Sequence, residues 1–107
     1  MINIKFKRGD TFRIGAAVAE GTPSAPKDLT GFGVRASLKD RTTLVADLTV
    51  DWTDRTGGTF DLVAEATATA AWPTKTLLCD IEYTDPDGTV LSTETFEVSV
   101  IADVTTP

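Results

Sequence analysis

The 107-residue sequence contains no histidine and a single cysteine, Cys79. The first absence removes the side chain most used as a general base near neutral pH and as a metal ligand, and with it every Ser-His and Cys-His nucleophile pair. The second excludes an intramolecular disulfide and a cysteine-built zinc site. No apolar run approaches the roughly 20 residues of a membrane-spanning helix. The N-terminal stretch, residues 1–10, alternates polar and apolar residues instead of presenting the apolar centre of a signal peptide. The sequence reads as soluble and made in the cytoplasm, with no membrane insertion. Cations are also scarce, with 10 Lys and Arg against 16 Asp and Glu, a formal charge of −6. Binding to phosphates needs clustered Lys and Arg, so nucleic acid is not an expected partner. Of enzyme chemistry, only a carboxylate-based mechanism survives.

What is present is enough apolar material, 41% of residues, to close one core in a chain of single-domain size. A single domain spanning residues 1–107 is expected. Alternation with a period of two recurs along most of the chain, and no stretch of ten or more residues shows a helical period. Ile2, Ile4 and Phe6 alternate with Asn3, Lys5 and Lys7, the pattern of a strand with one buried and one wet face. Phe12, Ile14, Ala16 and Val18 continue it in a second strand. A loop over residues 20–27 follows, whose Gly and two Pro suit neither helix nor ladder. Val34, Ala36 and Leu38 define the inner face of a third strand, and Leu44, Ala46, Leu48, Val50 and Trp52 that of a fourth.

Phe60 and Leu62 mark a fifth strand. The Ala-rich residues 64–71, with Thr residues able to cap and Trp72-Pro73 as a stop, suggest one or two helical turns crossing between sheets. Leu77, Cys79, Ile81 and Tyr83 form a sixth strand, and Asp85-Pro86-Asp87-Gly88 fits a type I turn. Val90, Phe96, Val98 and Val100 share one parity in a last strand ending near Asp103. The fold class expected is all-β, an immunoglobulin-like β-sandwich of about seven antiparallel strands with one short helical turn.

Each feature able to carry chemistry has a structural explanation that fits its context better. Arg8-Gly9-Asp10 spells an integrin-binding tripeptide, but it also supplies the tight turn between two strands. Asp85 and Asp87, with Asp51 and Asp54, have the ligand type for calcium but not its spacing, and Asp in turns bonds local backbone. Asp80 with Glu82, or Glu94 with Glu97, could form an acid–base couple, yet Asp80 and Glu82 fall on the wet parity of their strand. Cys79 lies on the inward parity, with no cation beside it to lower its pKa. Trp52 and Trp72 each close an apolar pattern and are expected in the core rather than in a sugar platform. No catalytic, cofactor-binding or metal-binding residue is expected, and no cofactor.

Charge is uneven along the chain. Residues 1–50 hold 8 Lys and Arg against 5 Asp and Glu, and residues 51–107 hold 2 against 11. Such asymmetry could bring copies head to tail, unless the strands of the two halves interleave in space.

Several strings occur in an order and spacing that resemble small virion proteins of tailed bacteriophages. They are Arg8-Gly9-Asp10-Thr11-Phe12, Asp28-Leu29-Thr30-Gly31 with Val34-Arg35, and Thr69-Ala70-Ala71-Trp72-Pro73. Cys79-Asp80-Ile81-Glu82-Tyr83-Thr84-Asp85 and Ser92-Thr93-Glu94-Thr95-Phe96-Glu97-Val98 complete the set. The chain is similar in particular to the N-terminal immunoglobulin-like domain of phage baseplate upper proteins. The resemblance implies a non-enzymatic structural component of the virion, in the tail tip, baseplate or fibre attachment. Its implied partners are other virion proteins and symmetric copies of itself. A capsid decoration protein and a host-surface module, binding a host receptor through loops such as 20–27 and 54–58, are the alternatives.

Overall fold

The computed structural model describes residues 2–21, 25–92 and 95–102. Those residues form an almost entirely β structure: β1 (Asn3–Lys7), β2 (Phe12–Ala17), β3 (Ala19–Glu20), β4 (Ala25–Pro26), β5 (Gly33–Asp40), β6 (Thr43–Asp54), β7 (Thr59–Ala64), α1 (Ala66–Thr69), β8 (Thr76–Thr84), β9 (Val90–Ser92) and β10 (Phe96–Ile101). The expected all-β class is what the chain adopts. The loop at residues 20–27 contains a small ribbon, with Ala19 opposite Pro26 and Glu20 opposite Ala25.

The strands follow one path, β1-β10-β8-β5-β6-β7-β2, with β9 beside β8. The twelve-residue β6 is the corner of this path. Its first half pairs with β5, Ala36 opposite Leu48, and its second half with β7, Thr49 opposite Val63. Through β6 the path makes one mixed, nearly closed sheet that folds into two layers, β1-β10-β8-β5 with the first half of β6 and the second half of β6 with β7 and β2, as in a β-sandwich. Among the described residues all pairings are antiparallel except β1 with β10, where Asn3 lies opposite Glu97 in parallel. This pair departs from the expected all-antiparallel set. Parallel neighbours need a long connection, here the whole of β2 to β9, and nothing local in either strand signals the pairing.

Between the sheets lie Phe12, Leu38, Phe60, Leu62, Leu77 and Val98, each at most 1% exposed. Their parities are those the alternation predicts, with two exceptions that share a cause. Leu38 pairs with Ala46 but Lys39 with Leu44, so Val45 is an extra residue. A bulge of this kind turns the strand over by one position, and Leu44 is 54% exposed instead of inward. Likewise Thr84 pairs with Val90, whereas Cys79 pairs with Phe96, a register one residue out. Val90 therefore does not share the inward face of Phe96, Val98 and Val100, and it is 54% exposed. The expected end of the last strand near Asp103 lies outside the described residues, and β10 runs to Ile101.

The crossing between sheets is a single helical turn. Its N-cap residue, Glu65, makes no side-chain capping bond, so the neighbouring Thr residues do not serve as caps. Thr69 is fully buried and bonds across the molecule instead, and Trp72 is 2% exposed. Trp72 plugs the base of the sandwich, its ring centroid 5.5 Å from those of Phe6 and Phe12, which are 5.1 Å from each other. Trp52 is half-buried. It packs on Phe60 at 5.5 Å, and the Arg55 guanidinium covers its ring at 4.0 Å, a cation–π contact that shields the remaining aromatic surface.

Candidate docking surface

The path of strands has two ends, β1 and β2, and a tight turn joins them directly. Asp10 N–H donates to the Lys7 carbonyl (3.3 Å), Gly9 has φ +93°, and Phe6 and Phe12 close the sandwich behind the turn. Arg8-Gly9-Asp10 is thus built into the framework. The Thr69 hydroxyl accepts the Gly9 N–H at 3.1 Å and donates to the Asp10 carbonyl at 2.7 Å.

Away from that turn β1 and β2 separate, and no ladder joins them among the described residues. The space between them is a cleft of about 1240 Å³ whose walls include Ile2, Ile4, Ile14, Ala16, Tyr83 and Phe96. Ile2 at its open end is 66% exposed. Alternation in the sequence explains the lining, because the inward parities of β1 and β2 are apolar and, among the described residues, no strand lies between the two to cover them from the side. Apolar residues thus line an open seam between two edges that no strand joins among the described residues, a feature of the kind that sheet edges and exposed apolar patches present to other chains.

The carboxylates singled out by the sequence are spread over other parts of the fold. Asp85 Oδ1 accepts the N–H groups of Asp87 (2.9 Å) and Thr89 (2.8 Å). Asp54 Oδ1 accepts from the Thr56 hydroxyl and the Gly57 N–H. Asp51 and Asp61 flank Arg13, at 3.2 and 2.5 Å, and their hydrogen bonds and charges raise its pKa. Asp80 accepts from the Thr95 hydroxyl at 2.6 Å on the outer face. Glu97 receives a longer bond, 3.4 Å, from the Asn3 amide, and Glu94 lies outside the described residues. Among the described residues no three His, Cys, Asp or Glu side chains gather as metal ligands do. Cys79 is buried, and burial, with a smaller contribution from the Asp80 charge, pushes its thiol up to about 12.

The string Asp28-Leu29-Thr30-Gly31 has a structural role that the sequence did not reveal. Asp28 Oδ1 accepts the Thr30 N–H (2.9 Å) and hydroxyl (2.6 Å), and those bonds hold its carboxyl below the usual carboxylate range. Gly31 takes φ +81°. The resulting turn drives Leu29 wholly into the core, and Leu29 N–H bonds to the Arg55 carbonyl at 2.9 Å. The loops around residues 27–31 and 54–58 therefore sit together at one end of the sandwich, the end at which the seam opens.

The two charge halves interleave. β5 lies against β8, with Arg35 opposite Glu82, and Arg13 of β2 bridges Asp51 and Asp61. The outer face of β1 is different. Lys5 lies opposite Ser99 and Lys7 opposite Ile101, and neither lysine forms an ion pair among the described residues.

No protein-family model and no curated protein matches the sequence. The structure is similar to a solved domain described as the N-terminal domain of phage TP901-1 ORF48, with a TM-score of 0.65 and 21% sequence identity, covering 92% of this chain and 83% of that one. The chain thus has the fold of a domain from a phage protein, as the ordered strings in its sequence imply.

Proposed function

We propose that this chain is a structural docking domain of a tailed-phage virion, placed at the tail tip, baseplate or fibre attachment, and that it acts through protein–protein contact without catalysis. The observation that supports this reading is a fold shared over 92% of the chain with a phage domain, together with the resemblance of its strings to baseplate upper proteins. The chemistry is consistent with it. Among the described residues, Asp80 and Glu97 of the possible acid–base couples bond the Thr95 hydroxyl and the Asn3 amide, and a buried thiol with a raised pKa is a poor nucleophile. An open apolar seam beside two lysines that form no ion pair among the described residues is the kind of surface that a protein neighbour covers.

Cryo-electron microscopy of the particle whose genome encodes this chain tests the proposal. Density for the two sheets at the tail tip or baseplate, with Trp72 at the base of the sandwich, is the expected result. Density on the capsid surface would make the chain a decoration protein, and its absence from purified particles would overturn a virion role.

A further inference from the structure

From the seam between β1 and β2 we infer that the chain accepts an extended segment of another virion protein, one that alternates apolar and acidic residues, as an added strand on β1. This deepens the docking role proposed above and rests on it.

The backbone supplies the first argument. The Glu97 N–H donates to the Ile2 carbonyl at 2.8 Å and the Arg8 N–H to the Ile101 carbonyl at 2.9 Å. Residues of one parity in β1 therefore face β10. In a parallel ladder the other parity points its N–H and C=O groups the opposite way, which directs those of Asn3 and Lys5 into the seam. β2 likewise pairs on one side only, with β7. A strand laid beside β1 would satisfy these donors and acceptors by β-augmentation.

The side chains specify what that strand carries. Its inward residues would meet Ile4, Ile14 and Phe96 in the cleft, so they are apolar. Its outward residues would become cross-strand neighbours of Asn3, Lys5 and Lys7, whose partners on the β10 side are Glu97, Ser99 and Ile101. Two adjacent lysines with no carboxylate paired to them among the described residues favour Asp or Glu in the added strand, because opposite charges directly across a ladder attract and like charges repel. On the far wall Gly15 and Ala17 offer no bulk that would obstruct the segment.

The test uses the whole chain and three capped nine-residue peptides, alternating Val with Glu, Val with Lys, and Asn with Glu. Each is titrated into isotope-labelled protein, with amide shifts and hydrogen exchange as readouts. The Val/Glu peptide is expected to bind, to shift the amides of β1 and β2, and to protect the Asn3 and Lys5 N–H groups. The Val/Lys and Asn/Glu peptides are expected to bind at least tenfold more weakly. In the double variant Lys5→Glu, Lys7→Glu, altered only at exposed positions, the preference should reverse toward Val/Lys by roughly tenfold.

Equal binding of the two charged peptides, binding mapped to another face, no binding at millimolar peptide, or an unreversed preference in the double variant would each overturn the inference. So would a peptide-free dimer whose interface maps to Asn3 and Lys5, which would make a second copy the occupant. Failure here leaves the place of the chain in the particle to be decided by microscopy, so the two proposals fail separately.

Discussion

The hydroxyl of Thr69 accepts the backbone N–H of Gly9 at 3.1 Å across sixty residues of sequence, and in the same position donates to the Asp10 carbonyl at 2.7 Å. One buried side chain thus satisfies both a donor and an acceptor of the turn that joins the two ends of the strand path. Replacing Thr69 with Val keeps the volume and removes both bonds. The expected loss is about 2 kcal/mol, the cost of leaving buried polar groups unmade, read from the urea midpoint. Thr69→Ser, which keeps the hydroxyl, should lose less than half as much. Hydrogen exchange at Gly9 should accelerate in the Val variant and not in the Ser variant.

Gly58 and Gly9 both have positive φ, +74° and +93°, but their surroundings differ. A Cβ on Gly58 would lie 2.5 Å from the Lys27 carbonyl oxygen and 2.7 Å from that of Val18, while one on Gly9 meets nothing within 4 Å. Gly9→Ala should therefore cost only the backbone strain, about 1 kcal/mol. Gly58→Ala adds a clash with two backbone carbonyls and should cost about 3 kcal/mol. Comparable losses in a denaturant titration of the two variants would contradict the close approach at Gly58.

Much of the fold was legible because alternation survives wherever a strand has one wet face. It placed Phe12, Phe60, Leu77 and Val98 inside, while the Ala-rich run before Trp72-Pro73 and the Pro and Gly of Asp85-Pro86-Asp87-Gly88 identified the helical crossing and the turn. It failed at Leu44 and Val90, where a register shift inverts the strand while the spacing of apolar residues stays unchanged. It was silent on the parallel pairing of β1 with β10, since pairing partners are set by global packing rather than by either strand's residues. The seam follows from that pairing and was out of reach for the same reason. Its apolar walls look in sequence like ordinary core positions of Ile4 and Ile14, and only the strand order shows that β1 and β2 do not join.

Arg41 is the one non-glycine residue with positive φ, +59°, among the described residues. It sits in the two-residue loop of the β5–β6 hairpin, where Asp40 lies opposite Thr43. A left-handed backbone there suits glycine. Arg41→Gly should relieve a strain of about 1 kcal/mol, partly offset by the greater freedom of glycine in the unfolded chain. The expected outcome is a melting temperature raised by a few degrees. A lowered one would mean that the arginine side chain contributes more than its backbone conformation costs.

Cys79 gives a pH signature of the folded state. Burial, reinforced by the Asp80 charge, raises its pKa from 9.0 to about 12. The folded chain therefore holds the thiol proton over a range in which the unfolded chain has released it. Stability rises with pH where the unfolded state binds more protons, and here it binds fewer. The contribution of Cys79 is thus fully present below pH 9 and is progressively lost as pH rises toward about 12. Denaturant titrations between those limits should show a downward slope for the native sequence that is reduced in Cys79→Ala, even though that variant is less stable at neutral pH for lack of the side chain. The same shift predicts that a thiol reagent at pH 8 labels the folded protein only at the rate of global opening, and labels it at once in denaturant. Rapid labelling under native conditions would show that the core beneath β8 opens to solvent far more readily than its packing implies.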